Sequence, residues 1–377
     1  MKIAVIGLGI QGYACAYDLA GSVPVEEMRL YDPQPGVAAA AAKKLRSPKV
    51  RVLPHTLKGA PLAKTLKGVD AVACTSPYYF IPDYTRMAIG IGAHFSDLGG
   101  HYQTVEAQLR MDAAAKRAGV AVLPDCGLAP GLAGIIAWHY AQGFDRPAES
   151  LRIRVGGLPQ KPKGLLQYAK FFSPYGLLNE YWNDCVVVRN DKKERREGMT
   201  EIESLRFKGL PPLEAFHTSG GISTLPLSLR GRVRNMDYKT IRYPGHCEKF
   251  RAFQELGLDA EFVELDGRKV HLRRLLVESI ARALPEDRRD MVLMRIDIEG
   301  KVKGKRRRRR IELIDRYDAR SGLTAMQRTT AFTLSCAVQQ ASDGTVKMRG
   351  AMPAETALDA PKMMRYLAER GFGFSIT

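Results

Sequence analysis

Gly7-Leu8-Gly9-Ile10-Gln11-Gly12 sets three glycines at the spacing that lets a main chain close around a pyrophosphate. Gly7 permits the tight turn, Gly9 leaves backbone bare where phosphate approaches, and Gly12 lets the following helix pack close to the preceding strand. Amides at the start of that helix, where Ile10 and Gln11 stand, then face the phosphate charge. A lone G-x-G-x-x-G is a weak signal. Here it follows the apolar, β-branched run of residues 2–6, precedes helix-forming residues 13–20, and is answered by Asp32, 20 residues beyond Gly12. A carboxylate at that distance accepts both hydroxyls of an adenosine ribose and repels a 2′-phosphate, so NAD is the expected cofactor and NADP the less favoured one.

The elements that must position this loop form a repeating pattern. Residues 28–32, 50–54, 70–75, 93–98 and 120–124 read as further short strands, separated by helix-length segments such as 104–118. Strands alternating with helices specify βαβ units and a parallel sheet. Residues 1–130 are therefore expected to form an α/β domain, a Rossmann doubly wound parallel sheet. Ligands on such sheets lie beyond the carboxyl ends of the strands. That places Cys74-Thr75-Ser76-Pro77-Tyr78, Asp97-Leu98-Gly99-Gly100-His101 and Asp125-Cys126-Gly127 along one crevice.

After Pro130 the character changes. Residues 132–142 read as a helix and Asp145-Arg146-Pro147 as a boundary. Residues 151–157 alternate with period two, the mark of a half-exposed strand; residues 185–189, 291–298 and 306–314 read as strands as well. The expectation is a second α+β domain over 131–350 with a mixed, largely antiparallel sheet, and a C-terminal segment, 351–377, that returns to the first domain. Three stretches concentrate polar groups: residues 216–221, 239–246 and 324–330. Turn chemistry and helix capping account for each of them as well as ligand binding does. His217 and His246 are candidates on those terms.

A length of 377 residues suits two domains at ~100–200 residues each. With 45% hydrophobic and 26% charged residues the chain belongs with folded proteins, which excludes disordered and fibrous classes. The 58 Lys+Arg against 40 Asp+Glu leave a net charge of +18, enough to attract nucleic acid, anionic membrane or acidic small molecules. Eight of those cations fall within residues 301–310. Alternate arginines of Lys305-Arg306-Arg307-Arg308-Arg309-Arg310 would point to opposite faces of a strand, and a solvated hairpin explains them better than a nucleic-acid patch. Six scattered cysteines without a C-x-x-C pair argue against a zinc module or disulfide scaffold, and no metal site is expected. No apolar leader or run of ~18 apolar residues is present, so a cytoplasmic location away from membranes is the expectation.

Several of these stretches recur together in one known family. They are residues 7–12, Asp97-Leu98-Gly99-Gly100, Pro124-Asp125-Cys126-Gly127-Leu128-Ala129-Pro130-Gly131, Val155-Gly156-Gly157-Leu158-Pro159, residues 172–181, His217-Thr218-Ser219-Gly220-Gly221, residues 239–246 and Thr324-Ala325-Met326. With them the chain resembles the saccharopine dehydrogenase family, and within it the lysine 6-dehydrogenase branch. The resemblance implies an NAD-linked oxidoreductase acting on a carbon–nitrogen bond, with an amino acid as small-molecule substrate and a homodimer as assembly. In that branch the ε-carbon of L-lysine is oxidised to an imine, which hydrolyses to the semialdehyde and cyclises.

On that reading the amine must be neutral before hydride leaves its carbon, which calls for a general base. Asp97, His101 and Asp125 are the candidates; Asp125 is preferred, with a helix-capping or loop-anchoring role as its alternative. Arg242 is suited to grip a carboxylate bidentately, with Thr218, Ser219 and His246 as neighbours, or to form a surface ion pair instead. Ser76, Pro77 and Gly99 would line the nicotinamide. Two rival readings stand beside this one. The first is a saccharopine or carboxylated-polyamine dehydrogenase of the same family. The second is a non-catalytic protein that senses NAD or associates with nucleic acid.

Overall fold

Ile3, Ala4, Val5 and Ile6 are fully buried in the computed structural model, which describes residues 1–171 and 174–377. They form β1 (Lys2–Ile6), which is followed by β2 (Glu27–Tyr31), β3 (Val50–Val52), β4 (Ala71–Cys74), β5 (His94–Asp97) and β6 (Ala121–Leu123). These strands and Gly350–Ala351 make a seven-stranded sheet in the order Gly350–Ala351, β6, β5, β4, β1, β2, β3. Every pairing is parallel. Strand order reverses between β1 and β4, the position where such sheets bind dinucleotides. Helices on both faces explain why β1 and β4 read as continuous apolar runs rather than alternating ones. Phe95, Val72 and Val122 join Ile6 and Leu66 in the core of one face.

The expected helix over 104–118 is two helices, Tyr102–Leu109 and Asp112–Arg117. Met111 breaks them with ψ near 6°, outside the helical region.

The chain divides into two compact units, and each is discontinuous. Unit 1 is Met1–Gln142, Ser223–Leu229 and Gln327–Phe372; unit 2 is Gly143–Ile222, Arg230–Met326 and Gly373–Thr377. This differs from the contiguous division at 130 and 350. Burial supplies the reason within unit 1. Ala331, Leu334, Ala337 and Val338 of the helix Ala325–Ser342 are buried. Ser335 and Gln339 of the same helix bond the Tyr366 hydroxyl at 2.9 and 2.7 Å. Tyr366 and Arg370 in turn hold Asp18 of the first helix, Ile10–Gly21.

Unit 2 is built on a nine-stranded mixed sheet. Its strands include β7 (Ala148–Pro159), β8 (Cys185–Arg189), β9 (Lys192–Arg196), β10 (Glu203–Leu205), β11 (Leu213–His217) and β12 (Val233–Arg242). The order runs β10, β11, β12, β7, Asp290–Val302, Lys305–Arg316, Phe374–Ile376, with β8 paired to β12 and β9 to β8. Only β12 and β7 run parallel, so the sheet is largely antiparallel as expected.

The half-exposed strand expected at 151–157 is a central one. β7 lies between β12 and Asp290–Val302, and Arg154 is 3% exposed. The alternation misled because this arginine is buried with partners: Asp237 lies 2.5 Å from Nη1, and Glu203 receives the other side of the guanidinium. The arginine run lies in a hairpin, closed by Lys303 and Gly304 with φ of 52° and 76°, as a two-residue turn of this twist requires. Arg306 faces Glu149 at 3.1 Å, and Arg308 and Arg310 face Asp297 at 2.9 and 2.8 Å. Much of one face of the basic run is thus neutralised by carboxylates of its own sheet.

No helix among the described residues is long and apolar enough to cross a membrane, and no group of metal-ligating side chains occurs among them. Phe172 and Ser173, at the start of the 172–181 stretch, lie outside the described residues.

Candidate functional site

Unit 1 presents the glycine loop where β1 ends and the helix Ile10–Gly21 begins. Gly7 adopts φ of 86°, which only glycine enters without strain. Its carbonyl accepts from the Thr75 hydroxyl at 2.7 Å, and a Cβ at Gly7 would lie 2.9 Å from Ser76 N. Ser76 and Pro77 therefore follow β4 directly beside the loop. A Cβ at Gly12 would overlap the Gly7 carbonyl, whereas nothing lies within 4 Å of a Cβ at Gly9. The three glycines thus perform the turn, the bare approach and the close packing that their spacing implies. No side chain caps the helix at Gly9, Ile10 is 70% exposed, and the buried Gln11 Oε1 has no partner. A helix start left open in this way fits a dinucleotide pyrophosphate.

Asp32 closes the other side. Its carboxylate accepts from Leu8 N at 2.7 Å and Gln34 N at 2.8 Å, pinning the glycine loop to the end of β2. Beside it a cavity of about 260 Å³ is lined by Asp32, Gln34, Gly36, Leu53, Pro54 and His55, among others, and no Lys or Arg is part of that lining. This chain would hold NAD or NADP through residues 7–12, the helix start and Asp32.

Two carboxylates occupy the ends of β5 and β6. Asp97 is fully buried and spends both oxygens internally, on Gly99 N at 2.7 Å and on Gln108 Nε2 at 2.6 Å. Burial lifts its carboxyl to about 6, against those two hydrogen bonds. Asp125 is 3% exposed with φ of 62°. The Ser223 hydroxyl donates to its Oδ2 at 2.5 Å, and Gly100 N reaches Oδ1 at 3.3 Å. Burial pushes the Asp125 carboxyl up to about 7; Ser223 opposes the rise, and the charges of Asp97 and Glu355 add to it. Gly99, with φ of 68°, is where a Cβ would overlap the Asp125 carboxylate, so this glycine gives the carboxylate its place.

His101 precedes the helix Tyr102–Leu109, bonds Thr104 Oγ1 at 2.9 Å and stacks on Tyr78 at 4.2 Å. Partial burial lowers its pKa, so the ring is neutral at pH 7.

Unit 2 gathers all four residues expected to bind substrate. Arg242, at the end of β12, is 4% exposed; its Nε donates to the Tyr181 hydroxyl at 2.7 Å and its Nη1 to the Ile241 carbonyl at 2.8 Å. Its guanidinium carbon lies 4.9 Å from the Tyr168 ring centroid. His246 bonds the Leu166 carbonyl through Nδ1 at 2.8 Å, which makes Nδ1 the protonated nitrogen. Nε2 is then the acceptor for the Tyr181 hydroxyl at 2.9 Å. Burial and the Arg242 charge depress His246 to about 3, so it stays neutral. It orients Tyr181, and through Tyr181 it orients Arg242. Thr218 and Thr240 share a hydroxyl contact of 2.6 Å, and Ser219 donates its N–H to the Glu180 carbonyl at 2.8 Å.

Sequence reasoning missed Ser223, Gln108 and Glu355, since each reaches its partner through the tertiary fold. Glu355 accepts from Thr224 at 2.8 Å and Ser228 at 2.6 Å, and all three belong to discontinuous parts of unit 1. Glu180 and Tyr181 did carry a signal, because they close the 172–181 stretch.

Comparisons with known proteins agree with this geometry. Residues 3–123 match the family model described as the saccharopine dehydrogenase NADP binding domain, and residues 127–372 match the saccharopine dehydrogenase C-terminal domain. Among solved structures, apo histidine-tagged saccharopine dehydrogenase (L-Glu forming) from Saccharomyces cerevisiae matches with a TM-score of 0.81 at 18% identity, over 100% of this chain and 99% of that one. A homospermidine synthase from Legionella pneumophila, in complex with NAD, matches with a TM-score of 0.68 at 12% identity, over 100% and 91%. At such identities the structural likeness is one of fold. The family models cover both halves of the sequence, and the chain belongs to the saccharopine dehydrogenase family, with its NAD(P)-binding oxidoreductase fold.

Proposed function

We propose that the protein is an NAD-dependent oxidoreductase of the lysine 6-dehydrogenase type. It oxidises the ε-carbon of L-lysine to an imine, which water converts to the semialdehyde with release of ammonia, and the semialdehyde cyclises to piperideine-6-carboxylate. The observation that carries this reading is Asp125, a buried carboxyl held near neutrality at the end of a strand of a dinucleotide-binding sheet. Ionised in part at neutral pH, such a carboxylate can receive the ammonium proton within the site and so free the amine lone pair to assist hydride loss. Ser223 keeps the ionised carboxylate in one orientation. When bound, the nicotinamide supplies the hydride acceptor.

Support for NAD over NADP comes from Asp32 and from a neighbouring cavity whose lining has no cation for a 2′-phosphate. Support for lysine over saccharopine comes from the arginines of unit 2. Arg154 and Arg295 are buried but already paired with carboxylates, whereas Arg242 forms no salt bridge among the described residues. Among the buried arginines described in unit 2, Arg242 alone lacks a carboxylate partner, which suits a substrate with one carboxylate better than one with three.

The test is the absorbance of reduced nicotinamide on mixing purified protein with NAD or NADP and a panel of L-lysine, saccharopine and diamines. Turnover of L-lysine with NAD is the expected result. Absence of turnover with every amine would overturn the reading, and saccharopine as the preferred substrate would replace it by the imine-reducing one.

A further inference from the structure

Glu180, in the helix Pro174–Trp182, has a half-buried side chain that makes no hydrogen bond and no ion pair among the described residues. Its main chain is fixed, since its carbonyl accepts from Ser219 N at 2.8 Å. Loss of hydration lifts the carboxyl to about 7 even though the Arg242 charge acts to lower it. A carboxylate partly withdrawn from water and given no donor by the protein is a candidate to receive the donors of a ligand.

Arg242 is the matching half. Tyr181 and the Ile241 carbonyl take its Nε and Nη1, and no described residue takes its Nη2. The two charges interact electrostatically but are not within the 4 Å of a salt bridge. Arg242 is held away by its bonds to the Tyr181 hydroxyl and the Ile241 carbonyl. The phenol rings of Tyr168, Tyr181 and Tyr238 interact electrostatically with Arg242 and Glu180 and give the cluster its low-dielectric surroundings.

We propose that Glu180 and Arg242 form a clamp for the two α-groups of an amino-acid substrate, Glu180 taking the α-ammonium and Arg242 the α-carboxylate. The clamp rests on the oxidoreductase reading for its reaction and names the end of the substrate that is not oxidised. It makes Glu180 the residue that distinguishes an α-amino acid from an ω-amino acid or a diamine. A zwitterion satisfies both charges at once, whereas 6-aminohexanoate leaves Glu180 unpaired and pentane-1,5-diamine leaves Arg242 unpaired.

Steady-state kinetics of the full chain with NAD and these three amines test the clamp. Wild-type protein is expected to favour L-lysine over either analogue on the order of 100-fold in kcat/KM, the effect of one unpaired buried charge. Glu180→Gln should remove the advantage over 6-aminohexanoate by raising KM for L-lysine, with kcat/KM for 6-aminohexanoate near the wild-type value. Glu180→Asp, which keeps the charge, should retain part of the preference. An unchanged preference in Glu180→Gln, or equal losses on both substrates, would overturn the clamp.

Calorimetric binding of L-norleucine, which has both α-groups and no ε-amine, separates this proposal from the reaction assigned above. Norleucine binding that Glu180→Gln abolishes, in a protein that oxidises no amine, would sustain the clamp and refute the reaction. L-lysine turnover with norleucine binding indifferent to Glu180→Gln would do the opposite.

Discussion

Replacing Asp125 by Asn tests the proposed base directly. The exchange is isosteric, and Asn tolerates the φ of 62° as well as Asp does. Gly100 N can still donate to the amide oxygen, and the Ser223 hydroxyl can turn to accept from the amide nitrogen. What changes is the ability to ionise. Burial holds the carboxyl at about 7 against an ordinary 3.8. At ~1.4 kcal/mol per pH unit, ionising it in the folded protein costs about 4 kcal/mol relative to the unfolded chain. The sign follows from the direction of the shift. A raised carboxyl favours the folded state fully below pH ~4, and this contribution disappears as pH climbs through about 7. The advantage of Asp125→Asn over wild type should therefore grow by about 3 kcal/mol between pH 5 and pH 8, read from urea denaturation at each pH. Activity should move the other way, with kcat on L-lysine falling by about 10²–10⁴-fold for loss of a general base. Parallel stability curves for the two proteins would refute the raised carboxyl, and retained turnover would refute its role as base.

Three further outcomes follow from the same geometry. Ser223→Ala removes the donor that favours ionised Asp125, so the rising limb of kcat/KM against pH should move about 1 pH unit to the alkaline side. Ser223→Thr should restore it, and an unmoved limb would show that Ser223 does not tune the base. Asp32→Ala should raise the KM for NAD roughly 100-fold, since it deletes a charged acceptor for ribose as well as the anchor of Leu8 N; unchanged affinity would count against the ribose role. Gly99→Ala places a side chain on φ of 68° and against the Asp125 carboxylate, so thermal denaturation should report a loss of about 1–3 kcal/mol from the backbone alone. A variant as stable as wild type would show that the loop relaxes freely.

Part of the site was legible because its logic is local. The loop of residues 7–12 needs only a strand before it and a helix after it, and both are specified by runs of a few residues. The parallel sheet follows from the same alternation, as β-branched runs buried on both faces have few other places to go. Asp97, Asp125 and Arg242 were legible as positions. Their chemistry was not, because it depends on what surrounds them. An aspartate reads the same whether solvated or enclosed, and only burial near Asp97, Ser223 and Glu355 lifts the Asp125 carboxyl to about 7. The Ser223 hydroxyl comes from 98 residues away. β7 shows the converse error: its alternating arginines suggest an exposed face, and distant Glu203 and Asp237 make burial of Arg154 affordable.

The sequence by itself therefore determined the dinucleotide fold, the likeness to one enzyme family and the residue types available for catalysis, all of which are written in short-range patterns. The tertiary structure decided which groups are charged, which are committed to one another and which are left waiting for a partner. Long-range packing is the reason. It brings Ser223 to Asp125 and Tyr181 to Arg242, and it withholds water from carboxylates whose sequence neighbours give no hint of it.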